Sequence, residues 1–125
     1  LQFRIVAGTG VPGPAHDAAS RPAVSSQLHS PLGLALDEIA QLLYVADSDN
    51  GRVRRIDLGT GDITTLAGGA VRSSSRDGEE ASTTKMFRPS GLALDSDRIY
   101  LYVADSLEHR IRRIDLTSRH MIGGT

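Results

Sequence analysis

Three features of the 125-residue sequence predict an all-β fold built from a tandemly repeated, four-stranded antiparallel unit. One long stretch occurs twice, its apolar runs are too short for helices, and turn-forming residues separate the runs. The repeat weighs most. Pro31-Leu-Gly-Leu-Ala-Leu-Asp37 returns as Pro89-Ser-Gly-Leu-Ala-Leu-Asp95. Leu43-Tyr-Val-Ala-Asp-Ser48 returns as Leu101-Tyr-Val-Ala-Asp-Ser106, and Arg52-Val-Arg-Arg-Ile-Asp-Leu58 as Arg110-Ile-Arg-Arg-Ile-Asp-Leu116. The offset is 58 each time, and 18 of the 28 positions from 31 to 58 are identical, which chance does not produce.

Each element follows from its residues. Gly33 to Asp37 and Leu43 to Asp47 are brief and β-compatible. In the first, Leu34 and Leu36 face one way and Ala35 the other, yet all three are apolar. Val45 and Ala46 repeat that behaviour, so the sheet is expected to be covered on both faces. Arg52 to Leu58 is a third, more polar strand nearer the rim. Asp62 to Ala67, rich in β-branched residues, is a fourth. Asn50-Gly51 signals a type I′ hairpin, whose two central residues must both tolerate positive φ. Gly59-Thr-Gly-Asp62 is a second tight turn, and the polar segment from Gly68 to Arg88 reads as a long loop. Tandem four-stranded units apolar on both faces favour stacked β-propeller blades over a plain sandwich.

Composition sets outer bounds. The length is that of one small domain. A net charge of -1 marks no evident polyanion binder. Aromatics are only 4%, leaving few large residues for a core. No apolar run approaches the roughly 20 residues of a membrane span, so no membrane partner is expected. Leu1 to Gly10 carries Arg4 and no long apolar stretch, unlike a signal peptide. A start at Leu is what an excerpt or a processed product would show. With no cysteine there is no disulfide framework and no thiolate metal site, a habit more of intracellular proteins than of secreted ones.

These motifs resemble the NHL-repeat family of β-propellers. The match runs from Pro-x-Gly-Leu-Ala-Leu-Asp through Tyr-Val-Ala-Asp-Ser and Arg-Ile-Arg-Arg-Ile-Asp-Leu to a strand ending in Ala-Gly-Gly. Asp77-Gly78 and Ala81, ahead of Phe87 and Pro89, also look like that family. The resemblance implies a ring of blades, commonly six, with the first strand of each innermost. It divides the chain into the last strand of a preceding blade (1–10), a connector (11–30), blade one (31–68), a second connector (69–88) and blade two (89–125). Some departures concern loops: 38–41 and 96–99 lack the usual glycine, Leu107-Glu108-His109 replaces Asp49-Asn50-Gly51, and Asp17-Ala18 stands for Asp77-Gly78. The last strand is clipped, its paired glycines at 123–124.

Candidate chemistry is sparse. The resemblance brings in amidating lyases with histidine-bound zinc, and with them an alternative reading as a propeller lyase or lactonase with a central metal. Zinc needs three or four convergent ligands, whereas His16, His29, His109 and His120 come from different elements. No metal, no cofactor and no catalytic residue is therefore expected, and the chain reads as a non-enzyme. Asp47-Ser-Asp-Asn-Gly51 looks like part of a calcium loop, but Leu58 occupies the twelfth position, where an acidic ligand is required. Ala7-Gly-Thr-Gly10 and Ala67-Gly-Gly69 lack the following helix of a phosphate loop. Ser48 and Ser106 lie at hairpin turns with no nearby base.

Arg52, Arg54, Arg55, Arg110, Arg112 and Arg113 form the basic clusters. Aspartates flank them and no aromatic interleaves them, so structural pairing is expected. Some family members bind RNA on a basic face, which remains the alternative. Asp47 should lie opposite Arg54 across a two-residue loop or Arg52 across a four-residue loop. Asp105 should lie likewise opposite Arg112 or Arg110, and such structural pairs are worth roughly 0.2–1 kcal/mol when exposed. Strand parity puts both connectors on one face with the turns at 48–51 and 106–109. That face carries Arg72, Arg76, Asp77, Glu79, Glu80, Lys85 and His109, a mixed-charge set suited to a protein partner. The competing reading is that these loops merely cover blade edges. The expected role is thus a protein-interaction or assembly scaffold, completed by the remaining blades of a larger propeller or by other copies.

Overall fold

The computed structural model describes residues 1–17, 19–69, 78 and 80–117. In chain order it contains β1 (Arg21–Pro22), a 3-10 turn (Ala23–Ser25), β2 (Pro31–Asp37), β3 (Leu42–Asp47), a 3-10 turn (Ser48–Asn50), β4 (Arg52–Asp57) and β5 (Asp62–Gly68). A further 3-10 turn (Ala81–Thr83) precedes β6 (Pro89–Leu94), β7 (Tyr100–Asp105) and β8 (Arg110–Asp115). The strands form two antiparallel sheets, β1-β5-β4-β3-β2 and β6-β7-β8. Among the described residues no helix is long and apolar enough to cross a membrane. The expected last strand of blade two falls in 118–125, outside the described residues.

The two units are built alike down to their irregularities. Leu34 pairs with Val45 as Leu92 pairs with Val103, and each first strand shifts register just after its proline. The blades stack face to face. Ala35, Tyr44, Val53 and Ala67 of blade one meet Leu101, Val103 and Ile114 of blade two in one buried cluster, with Ala81 and Met86 of the second connector wedged in. The opposite face of blade one contributes Val45, Ile56 and Ile63 to a second cluster, covered by Ala23, Ala7 and Leu28.

Three expectations need correction. The β3–β4 connection is not a two-residue type I′ hairpin. Asp47 is paired with Arg52, so the loop has four residues, and only Gly51 takes the left-handed conformation, at φ 63°. The reason is tertiary. The Asn50 side-chain amide donates both to Asp47 Oδ2 (2.9 Å) and to the Gly13 carbonyl (2.9 Å), which holds the loop open as a 3-10 turn. His109 takes the glycine's place in the second copy at φ 57°.

The first connector is not a plain loop confined to one end of the blade. Arg21 and Pro22 pair with Ile63 and Asp62 as a fifth strand outside β5, and the Ala23 N–H donates to Gly61 O at the far end (2.8 Å). An uncovered outer strand would present a row of unpaired backbone groups, and the returning connector satisfies some of them. Finally, Leu1 to Gly10 forms no strand. The segment meets the blade through the Gly8 N–H, which donates to Ala23 O (3.0 Å), and through Ala7, which packs on the second cluster.

Candidate functional site

The hairpin end of blade one gathers three of the charged side chains singled out above, Asp47, Arg52 and Arg54. Asp47 is fully buried. Its carboxylate accepts the His29 N–H (2.7 Å), the Asn50 amide and Arg54 Nη1 (3.3 Å). Its ion-pair partner is thus Arg54, two residues along the strand from Arg52, the residue directly opposite, and on the same face. The pair is not exposed: the side chains of Arg54 and Asp47 retain 2% and 0% of their surface. Burial pushes the Arg54 guanidinium below its ordinary pKa, and Asp47 opposes that shift.

Arg52 is drawn elsewhere. Its guanidinium forks onto Asp17 through Nε and Nη2, both at 2.7 Å, and Nη1 donates to Asn50 O. This bidentate geometry holds the Asp17 carboxyl below the usual range and raises Arg52 in turn. A carboxyl with a depressed folded pKa contributes stability above its unfolded value, near 3.9, and loses that contribution as pH falls through the folded value. The Asp17 side chain is 42% exposed, so the contribution is about 1 kcal/mol at most. Urea midpoints followed from about pH 6 to about pH 2 should therefore fall less steeply for Asp17→Asn than for the parent chain. Parallel curves would show that the fork contributes nothing.

The second copy does not reproduce this arrangement. Asp105 is fully buried, but its carboxylate accepts the Phe87 and Arg88 N–H groups (3.3 and 2.8 Å), and neither Arg110 nor Arg112 forms an ion pair with it. Two backbone donors take both oxygens, and Glu108 stands where Asn50 supplied its amide. Arg110 is exposed, while Arg112 is buried with Nη1 lacking any partner. Arg113 lies over the Tyr100 ring at 4.2 Å.

Of the proposed connector-face set, Arg72, Arg76, Asp77 and Glu79 lie outside the described residues, as does His120. Glu80 is half-buried and its carbonyl accepts the Thr84 hydroxyl. Lys85 sits over the Phe87 ring at 4.7 Å, and His109 is exposed. His16 and His29 are exposed, with His29 Nε2 3.9 Å from Asp49 Oδ2. Among the described residues no group of three or more His, Cys, Asp or Glu could hold a metal ion.

Sequence reasoning missed the joint between the blades. The Ser48 hydroxyl, read as an ordinary turn residue, is buried and donates to Pro89 O of the next blade. Arg88 reaches Asp49 at 3.3 Å beside it. The Asp49 carboxyl is held below its ordinary range, first by the Ser30 hydroxyl and then by Arg88. At the far end Arg98 meets Asp37 at 3.3 Å. Next to that pair a cleft of about 480 Å³ opens between the blades, with Tyr44, Arg55 and Ser82 among its lining residues. Gly33 sits where a Cβ would come within 2.2 Å of Ser90 O. The repeated Asp-Ser step was a visible signal for the Ser48 latch. Arg98 had none, since Ala40 occupies the corresponding place in blade one.

No family model matches the chain. Over 96 residues it is 35% identical to NHL repeat-containing protein 2 of Bos taurus, covering 77% of this chain and 13% of that protein. The chain therefore spans only a small part of that relative's length. A structural genomics protein of unknown function from Bacteroides thetaiotaomicron superposes with a TM-score of 0.65 at 20% identity, covering 78% of this chain and 24% of that one. An auxiliary nutrient binding protein from the same bacterium superposes at 0.60 and 20% identity, covering 79% and 26%. At such identities the likeness to the two solved structures is one of fold. Antiparallel sheets stacked face to face, each opened by a Pro-x-Gly strand, make this a chain of consecutive β-propeller blades. With the repeat motifs and the NHL-repeat relative in hand, the chain belongs to the NHL-repeat family.

Proposed function

We propose that these blades act as a protein-interaction and assembly scaffold. The observation that carries the reading is apolar surface left open on both sides of the stack. Leu34 and Leu36 are 60% and 47% exposed on one side, and Ile111 is 72% exposed on the other. Exposed apolar side chains of this kind favour association where they adjoin. The charges at the hairpin end support the same reading, because Asp17, Asp47 and Asp49 engage Arg52, Arg54 and Arg88 rather than converge on a vacant centre. In this reading the chain is not itself an enzyme and uses no cofactor. Its partners are protein blades rather than RNA or a membrane.

Light scattering of the 125-residue chain over rising concentration tests this. The expected mass exceeds the 13.3 kDa of one copy and grows with concentration, while binding of an apolar-surface dye falls in step. A cooperatively melting monomer that binds no dye at any concentration would sink the reading.

A further inference from the structure

The sequence holds a single asparagine, Asn50, and a glycine follows it. Such a pair is the step most prone to spontaneous deamidation, because glycine has no side chain to shield its nitrogen from the asparagine. In the reaction the Gly51 nitrogen loses its proton to water and attacks Asn50 Cγ. The Cγ–Nδ2 bond breaks, and Nδ2 takes up a proton and departs as ammonia, leaving a cyclic imide. One water then opens the imide at either carbonyl. The product is aspartate or isoaspartate at position 50, with nothing oxidised or reduced.

The fold engages each group that this reaction needs. Asn50 Nδ2 donates to Gly13 O and to Asp47 Oδ2, each at 2.9 Å. The Gly51 N–H donates to Ser48 O (3.1 Å), and Arg52 Nη1 donates to Asn50 O (2.6 Å). Gly51 is also hemmed in, since a Cβ there would come within 2.6 Å of Met86 O. Bringing the Gly51 nitrogen to Asn50 Cγ therefore breaks several bonds together, and only a small open fraction of the folded population reacts.

The product does not fit the same place. Where the amide donates, a carboxylate only accepts. It would face the Gly13 carbonyl and the fully buried Asp47 carboxylate. Two carboxylates that close resist ionising together. Isoaspartate also lengthens the backbone of a loop whose ends are fixed by the pairing of Asp47 with Arg52. Blade two has Glu108 at the corresponding place, so blade one alone carries the site.

We infer that Asn50-Gly51 is a modification site that folding closes and unfolding opens. The folded chain keeps its asparagine, whereas long residence in the unfolded state converts it, one way, to a form that does not regain this loop. The inference concerns blade one itself and is independent of any partner.

Parallel incubations of the 125-residue chain at one pH and temperature, in buffer and in guanidinium chloride, test it. Peptide masses follow the replacement of NH2 by OH at Asn50. Asp77-Gly78 forms the same kind of imide but reopens with no net change in mass, so it does not interfere. Loss of Asn50 is expected to be at least about tenfold slower in buffer than in denaturant. After the denaturant is removed, the refolded fraction is expected to fall in step with that loss. Asn50→Ser, which forms no imide, should keep its refolding yield through the same incubation, and the parent's own rates decide the matter should that variant fail to fold. Equal rates in the two samples, or full refolding of the deamidated chain, would overturn the inference.

Discussion

Arg54→Met is expected to destabilise the folded chain by about 3–5 kcal/mol, while Arg112→Met leaves stability unchanged or raises it. The two arginines occupy the same place in successive repeats and both are buried. What differs is the counter-charge. Arg54 lies against the buried Asp47 carboxylate, and removing it leaves that carboxylate with amide donors and without its ion-pair partner. Among the described residues Arg112 has no carboxylate partner and its Nη1 has no hydrogen bond, so replacement by an apolar side chain of similar length removes a buried polar group without breaking an ion pair. Urea midpoints of the two variants against the parent decide the matter. Equal losses would mean that Arg112 has a counter-charge after all.

Gly33→Ala is expected to cost about 3 kcal/mol, at the upper end of overpacking, and Gly91→Ala less than about 0.5 kcal/mol. The new methyl at position 33 would have to displace backbone, the Ser90 carbonyl and the Gly91 Cα, which no rotamer change relieves. At position 91 it meets ordinary van der Waals contact. Thermal melts at a concentration low enough to suppress association isolate the difference. Identical melting temperatures would show that the blades are not in close contact at Gly33.

The strands were legible because the repeat made each assignment twice. Gly33 to Asp37, Leu43 to Asp47, Arg52 to Leu58 and Asp62 to Ala67 fall within a residue or two of β2, β3, β4 and β5. The stacking was legible in Ala35 and Ala46, small apolar residues on the face opposite the leucines. What stayed hidden depends on long-range partners. Asn50-Gly51 is a strong local hairpin signal, but the Gly13 carbonyl 37 residues away captures the asparagine. Arg52 lies directly across from Asp47, yet its long side chain reaches Asp17, 35 residues back, and leaves Asp47 to Arg54. Asp105 looks equivalent to Asp47 in sequence. Its different fate follows from backbone donors at Phe87 and Arg88, which side-chain identity does not encode.

The brief strand β1 bears on the direction in which the molecule can grow. Sheets extend in two ways, by adding strands along an edge or by stacking face on face, and unguarded edges invite the first, the route to amyloid-like fibres. In blade one Pro22 lies in β1 at one edge of the sheet and Pro31 opens β2 at the other. A proline has no N–H to offer an incoming strand. Lateral recruitment is thus hindered at both edges of blade one, so partial unfolding that bares this sheet should yield ribbons built on it less readily than an edge without proline would.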